Sequence, residues 1–385
     1  MKLALTTEEA AFRDELRTFY TTQIPEELRE LVREGSSLSR DQIVTSQKIL
    51  NDHGLAVPNW PIEWGGKDWT PTQHQIWADE MQLACVPQPL NFNVKMVGPV
   101  IAEFGSQEIK QRFLPPTAGI DIWWCQGFSE PEAGSDLASL RTTAVRDGDS
   151  YVVNGQKTWT TLGQYADWIF CLVRTDPQAP KRQAGISFLL IDMTTPGITL
   201  RPIKTIDGAR EVNEVFFSDV RVPADQLVGQ ENQGWTYAKF LLGNERTGIA
   251  GVGRTKVRLG EAKKHAAETG LLNDPLFAAR LAEAENEVLA LELTQARVVT
   301  DSADGKPNPA SSVLKMCGSQ LQQAATELLV EVAGPDALPA NGEDIASPAW
   351  AQSSAPRYLN YRKTSIYGGS NEVQRNIIAS TILGL

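Results

Sequence analysis

Residues 129–136, SEPEAGSD, can be neither a helix interior nor a half-buried strand. Pro131 and Gly134 break a helix there, and apolar and polar residues do not alternate. What remains is a loop of small residues with backbone N–H groups and hydroxyls to offer, suited to gripping a polar, flat or phosphorylated ligand. A turn signal follows at Arg146-Asp147-Gly148-Asp149-Ser150, between TTAV and YVVNG, and predicts a hairpin whose return strand ends at Trp159-Thr160-Thr161. Loop, hairpin and Trp-Thr-Thr segment lie between Trp124 and Trp168, and the rest of the chain must frame them.

On either side the texture is helical. Thr6-Thr7-Glu8-Glu9 has the form of a capping box, and Phe12, Leu16 and Phe19 follow at helical spacing. Further helices are expected over Arg40–His53, Thr72–Ala84 and Pro99–Phe113, the last ending at Leu114-Pro115-Pro116. From Ile122 to Val228 short apolar runs (WIFCLVR, GISFLLIDM, VNEVFFSDV) alternate with turn residues, as in an antiparallel sheet or small barrel, with Pro202 and Pro223 at strand ends or edges. Beyond Gly229 one long helix is expected over 234–268, then others over 274–300 and 311–333. A plain loop is expected at 301–312, a long irregular stretch at 334–356, and a last helix from Ser370. The expected class is α+β multidomain: an N-terminal helical domain (1–121), a central antiparallel β-sheet or barrel domain (122–228) and a C-terminal helical bundle (229–385).

A chain of 385 residues can bury a large core. Its net charge of −11 argues against nucleic acid or an anionic membrane as partner. No apolar run approaches the roughly 18 residues of a spanning helix, and the start MKLALTTEEAAFRDEL lacks the pattern of a signal peptide. Cys85, Cys125, Cys171 and Cys317 show no C-x-x-C spacing, and His53, His74 and His265 are too dispersed for a metal or a triad. A reduced, cytoplasmic protein without a metal is expected. Gly248, Gly251 and Gly253 in TGIAGVGRTK imitate a dinucleotide motif, but they lie in a helical run rather than after a strand, which points to close helix packing.

FSEPEAGSD followed by KTWTT resembles, in order and spacing, the central signature of the acyl-CoA dehydrogenase family, and the helix–sheet–helix order extends the resemblance over essentially the whole chain. PNWPIEWGG at 58–66 resembles that family's P-x-E-x-G-G element, though a rigid interhelical loop explains it equally well. The resemblance implies FAD as cofactor, an acyl-CoA substrate in lipid β-oxidation, and an electron-transferring flavoprotein as acceptor. It places Phe128 and Ser129 against the isoalloxazine through their backbones and Ser135 between flavin and the CoA arm. It places Trp159 on the ring, Thr161 near N5, and Ser370 and Glu372 near the FAD of the same chain. Glu372 stands where the family usually has Gln.

Desaturation of a thioester needs a base for the α-proton, a hydride acceptor and donors to the enolate-like oxygen. Many family members carry a Glu after the Tyr of a C-terminal Y-E-G motif, but here Ile366-Tyr367-Gly368-Gly369 puts Gly368 at that place. The family's alternative is a Glu followed by Arg on a helix of the C-terminal domain, which Glu245-Arg246 matches. Gly368 keeps its N–H and so retains the role of oxyanion donor. Two segments that grip the FAD diphosphate of a neighbouring subunit in homotetrameric members are missing: HAAETGLLNDPLFAARLAE lacks Arg-x-x-Phe-Gly, and Glu331–Asp336 lacks paired glycines. A sister subunit in an α2β2 heterotetramer is therefore expected, as in pimeloyl-CoA-type and steroid side-chain enzymes, with a homo-oligomer as the other possibility. The rival functions are a flavin monooxygenase or oxidase on the same fold, and a non-catalytic partner subunit.

Overall fold

The structure is a computed structural model and describes residues 4–301, 308–338 and 347–385; of residues 244–249 and 301 it describes the backbone only. The chain packs as two compact units interleaved in sequence: 1–49, 68–88 and 245–385 form one, and 50–67 and 89–244 the other.

The second unit holds the sheet. Its strands are β1 (Trp124–Gly127), β2 (Thr143–Asp147), β3 (Ser150–Thr161), β4 (Trp168–Arg174), β5 (Ile186–Asp192), β6 (Ile198–Ile203) and β7 (Val212–Pro223). They run in the order β1-β4-β2-β3-β7-β6, with β5 also on β4. The hairpin falls where the turn signal put it, with Asp147 opposite Ser150 and Gly148 at φ 61°. Most pairings are antiparallel, but β1 and β2 each lie parallel to β4, which the strand texture alone does not reveal. Pro202 lies on the edge strand β6 and Pro223 ends β7, where a missing N–H costs no ladder bond. Phe170 and Phe188 stack at 5.9 Å in the core. Asn93 ties the helical segment below to β1: its Nδ2 donates to Ile122 O (2.7 Å) and its Oδ1 accepts from Trp124 N (3.1 Å). In the 58–66 connector Trp60 is buried, its Nε1 donating to Val94 O at 2.7 Å.

Pro115 and Pro116 do not stop the helix before them. The segment folds as two helices, Gly98–Phe104 and Gln107–Ala118, the second running through both prolines to Gly119.

The first unit is helical. The Thr7–Gln23 helix opens on the expected capping box, Thr6 Oγ1 accepting from Glu9 N and Glu9 returning to Thr6 N. The helix Ser311–Ala333 has the predicted ends. The stretch expected as one helix over 234–268 is two, Gly234–Ile249 and Val252–Thr269, because Gly251 takes φ 61° and ends the hydrogen-bond ladder. Gly253 then serves close packing: a Cβ there would meet Gln82 Cβ at 2.8 Å. Within 334–356 the chain forms a short helix, Ala349–Gln352, and begins another, Ser354–Tyr361; residues 339–346, like 302–307 of the expected loop, lie outside the described residues.

Asp79, on Pro71–Leu83, packs against Lys256, Glu292 and Gln295 of two other helices. Burial pushes its carboxyl up to about 6, Glu292 adds to the rise, and Gln75, Lys256 and Gln295 offset part of it. A carboxyl raised above its unfolded value of about 3.9 favours folding while protonated; that contribution is lost as pH rises from about 4 through about 6. Asp79→Asn should therefore stabilise the protein at pH 8, by up to about 3 kcal/mol, and have little effect at pH 4. Melting temperatures of wild type and variant at the two pH values check this; an offset independent of pH would refute it.

Candidate active site

Strand β1 delivers Phe128 and Ser129 to the sheet's end. Phe128 is buried edge-on to Phe170 (5.7 Å) and Phe188 (6.1 Å), so only its backbone is free to meet a ligand. Behind it lies Lys157, a fully buried lysine of β3. Its Nζ donates to Glu130 Oε1 at 2.7 Å and to Phe128 O at 3.2 Å. Glu130 also accepts from Arg141 N (2.6 Å) and Thr142 N (2.9 Å), and Ser129 O accepts from Thr158 N (2.9 Å). The start of the loop is thus clamped to β3, and the Glu130 carboxylate ties its far end at 141–142 to the same place. In a trans peptide N–H and C=O point oppositely. With Phe128 O turned to the buried lysine, the Ser129 N–H faces away from it.

Burial pushes the Glu130 carboxyl up, but the Lys157 charge and the hydrogen bonds from Lys157, Thr142 and Arg141 outweigh it and hold the group below the usual carboxylate range. Burial also takes the neighbouring Cys171 thiol up to about 12, against the pull of Lys157, which leaves it inert.

Two residues on from Lys157, the β3–β7 register slips between Lys157 and Thr160, and Trp159 sits in this bulge at φ 59° with 59% of its surface exposed. A bulky residue at positive φ is strained, and bulges of this kind re-aim side chains beside functional sites. Thr161, the last residue of β3, is half-buried opposite Val212. Thr160 Oγ1 is buried with no partner among the described residues. Ser135 is exposed on the loop. Phe128, Ser129, Ser135, Trp159 and Thr161 therefore all belong to the sheet-bearing unit.

Gly368, Ser370 and Glu372 belong to the helical unit. Gly368 and Gly369 adopt φ 65° and 80°, left-handed values that favour glycine, so a side-chain base at 368 would be strained. Gln374, fully buried, holds this turn: its Nε2 donates to Gly368 O at 3.1 Å and Gly369 O at 3.3 Å, while its Oε1 is buried without a partner among the described residues. Asn371 anchors the next residues, its Oδ1 accepting from the buried Lys315 Nζ at 2.9 Å. Ser370 caps the Asn371–Ile378 helix, its Oγ accepting from Val373 N at 3.3 Å. Glu372 is exposed; its own backbone N–H and the Ser370 hydroxyl hold its carboxyl low. The backbone of Glu245 is on the Gly234–Ile249 helix, and its side chain lies outside the described residues.

Sequence reading passed over Lys157, Glu130 and Gln374, although the first two lie inside the motifs it singled out. Gln374 holds both carbonyls of this two-glycine turn. With Gly368 as the oxyanion donor that the family resemblance implies, Gln374→Leu should release both carbonyls and loosen the turn that carries it, lowering kcat on a thioester by roughly 10²-fold, as for loss of one oxyanion donor, with a smaller change in KM. Steady-state kinetics check this; a wild-type kcat would show that the turn holds itself.

The two segments expected to lack a diphosphate grip come together in the helical unit. Arg280 donates to Glu331, and the groove beside them is lined by Glu283, Glu287 and Glu327. An acidic wall repels a diphosphate.

Three family models match, described as the acyl-CoA dehydrogenase N-terminal domain (residues 6–121), middle domain (125–220) and C-terminal domain (232–383). Among curated relatives, acyl-CoA dehydrogenase IpdE1 of Mycobacterium tuberculosis is 35% identical, with 97% of each chain covered. Acyl-CoA dehydrogenase FadE26 of the same organism is 34% identical over 100% of this chain and 99% of its own. Among solved structures, the Tcur3481–Tcur3483 steroid ACAD superposes with a TM-score of 0.89 at 29% identity, covering 100% and 99% of the two chains. The ChsE4–ChsE5 complex from Mycobacterium tuberculosis gives 0.85 at 34%, with the same coverage. Matched along nearly its whole length, the chain belongs to the acyl-CoA dehydrogenase family, oxidoreductases acting on the CH–CH bond of acyl-CoA thioesters.

Proposed function

We propose that this chain carries the catalytic site of an FAD-dependent dehydrogenase that desaturates an acyl-CoA thioester between Cα and Cβ. The observation that carries the reading is the clamp of Lys157 and Glu130 behind Phe128 and Ser129, with Trp159 thrust out two residues later. An outward N–H at Ser129, an exposed indole and a Thr160 hydroxyl without a partner among the described residues suit a flat, polar ring system. Ser135 lies on the same loop, where it would border the CoA arm, and Thr161 would hydrogen-bond at the ring's centre. FAD, when bound, supplies the acceptor for the β-hydride, which no side chain can be.

The protein's own part is proton transfer and positioning. Glu245 takes the α-proton. The Gly368 N–H, in the turn whose carbonyls Gln374 holds, donates to the thioester oxygen as negative charge grows there. Ser370 and Glu372 complete the cofactor-facing end of the helical unit. The acidic groove at Arg280 and Glu331 supports assembly with a sister dehydrogenase subunit that provides the missing diphosphate contacts, and the solved neighbours described as the Tcur3481–Tcur3483 ACAD and the ChsE4–ChsE5 complex support it further. Electrons would leave to an electron-transferring flavoprotein. Among the described residues no helix is long and apolar enough to cross a membrane.

Gly368 favours one other reading, a partner subunit with a degraded site. Co-expression with a sister chain, followed by mass analysis of the thioester product, separates the two. A product lighter by two hydrogens that depends on Glu245 of this chain supports the proposal; a product independent of that residue refutes it. Rapid consumption of O2 by the reduced enzyme would instead mark an oxidase or monooxygenase.

A further inference from the structure

Asn213 has no part in the reaction as described, yet it is fully buried inside β7, among the apolar residues of the sheet. Asparagine is disfavoured in strands, and a buried amide is costly unless its donors are used. Both are used: Nδ2 donates to Thr160 O at 3.0 Å and to Gln164 Oε1 at 2.7 Å. Gln164 Nε2 in turn donates to Arg210 O at 3.3 Å, so turning either amide over would set oxygen against oxygen. The two acceptors flank Leu162, and the backbone there is strained. Trp159 and Leu162, at φ 59° and 54°, both take left-handed values without being glycine, and they bracket Thr160 and Thr161. Such backbone persists where its surroundings over-determine it. Leu162 N donates to Glu211 O at 2.6 Å, and the Asn213 amide ties the chain before and after that bond. Gly163, buried, leaves room for the amide: a Cβ there would meet Thr160 Cγ2 at 3.1 Å and Asn213 Nδ2 at 3.4 Å.

We infer that Asn213 is a positioning residue for the flavin: by holding Thr160 O it fixes the peptide between Thr160 and Thr161, and with it the aim of Thr161 and of the Trp159 indole. This inference rests on the FAD-dependent reading above and concerns how the chain shapes that site. The Thr161 N–H belongs to the same trans peptide as Thr160 O, so with the carbonyl turned to Asn213 the N–H points away from it. Being fully buried, Asn213 acts through these neighbours. Removing its amide deprives the Thr160 carbonyl and the Gln164 side chain of their shared donor, and the strained stretch between Trp159 and Leu162 loses a tie that sets its direction.

The test compares wild type with Asn213→Leu, similar in volume but without donors, as the assembled protein loaded with FAD. The dissociation constant for FAD is read from flavin fluorescence, the visible spectrum of the bound flavin is recorded, and kcat and KM are measured on a thioester with an artificial electron acceptor. In Asn213→Leu the FAD dissociation constant should rise about tenfold, and the bound-flavin spectrum should move toward that of free FAD. The kcat should fall about tenfold while KM stays within about twofold, as for a misaimed group. If Asn213→Leu fails to fold, Gln164→Ala decides: this exposed side chain is the amide's second acceptor, and its loss should weaken FAD binding about threefold with a spectral change in the same direction. A lower melting temperature with wild-type FAD affinity, spectrum and kcat would show that Asn213 supports only the strand, and would overturn the inference. So would wild-type values in Gln164→Ala when Asn213→Leu does not fold. If wild type itself binds no FAD, the parent reading fails; if wild type binds it and Asn213→Leu binds it equally well with the same spectrum, this inference alone fails.

Discussion

Glu245→Gln should lower kcat on any thioester substrate by roughly 10³-fold, the usual contribution of a positioned general base, while leaving KM within a few-fold. Glutamine has the shape of glutamate and cannot take a proton. Gly368 cannot replace it, because that position has no side chain and its φ of 65° disfavours one. The flanking residues Leu241 and Ala250 are both fully buried, so residue 245 stands on a segment tied to apolar surroundings at either end. Steady-state kinetics of the assembled protein with an artificial acceptor measure the effect. Turnover close to wild type would move the base to another residue or another chain.

The second large effect is expected at Lys157. Lys157→Met removes a buried ammonium and leaves Glu130 a buried carboxylate without its cation, a loss of about 3–5 kcal/mol when one partner of such a pair is deleted. The same change frees the Phe128 carbonyl, so the loop that orients the Ser129 N–H loses its anchor. The purified variant should hold less than about one tenth of the wild-type FAD and melt at a lower temperature. Adding Glu130→Gln should recover part of the stability, because the unpaired charge is then gone, but not the FAD, because the clamp is still missing. FAD content and melting curves of the three proteins check this. A single variant that keeps full FAD content would show that the loop holds its shape without the pair.

What could be seen in the sequence was local. The Thr6–Glu9 capping box, the Asp147-Gly148 turn and the ends of Ser311–Ala333 depend on residues a few positions apart, and each formed as expected. The break at Gly251 was hidden because a glycine inside a helical run reads as packing until its φ is known, and Gly253, two residues later, does serve packing. Pro115 and Pro116 misled in the other direction, since the helix carries both and stops only at Gly119. The parallel pairing of β1 with β4 joins strands 44 residues apart and leaves no mark on either. The site divides in the same way. Phe128, Ser129 and Trp159 were marked by motif, whereas the pair that braces them, Glu130 and Lys157, depends on contact across 27 residues. The Gly368–Gly369 turn was noticed as the absence of a carboxylate, and the Gln374 side chain that fills its role of support became visible only once both carbonyls were seen to point at it.

The central claim, that this chain removes the α-proton while a flavin bound against it takes the β-hydride, has a direct measurement. The assembled wild-type protein is mixed anaerobically with a panel of CoA thioesters and the visible flavin absorbance is followed in a single turnover. At least one thioester should bleach the wild-type flavin, and the same thioester should leave the Glu245→Gln protein oxidised although it still binds. Equal bleaching in both proteins, or none with wild type across the panel, would contradict the claim.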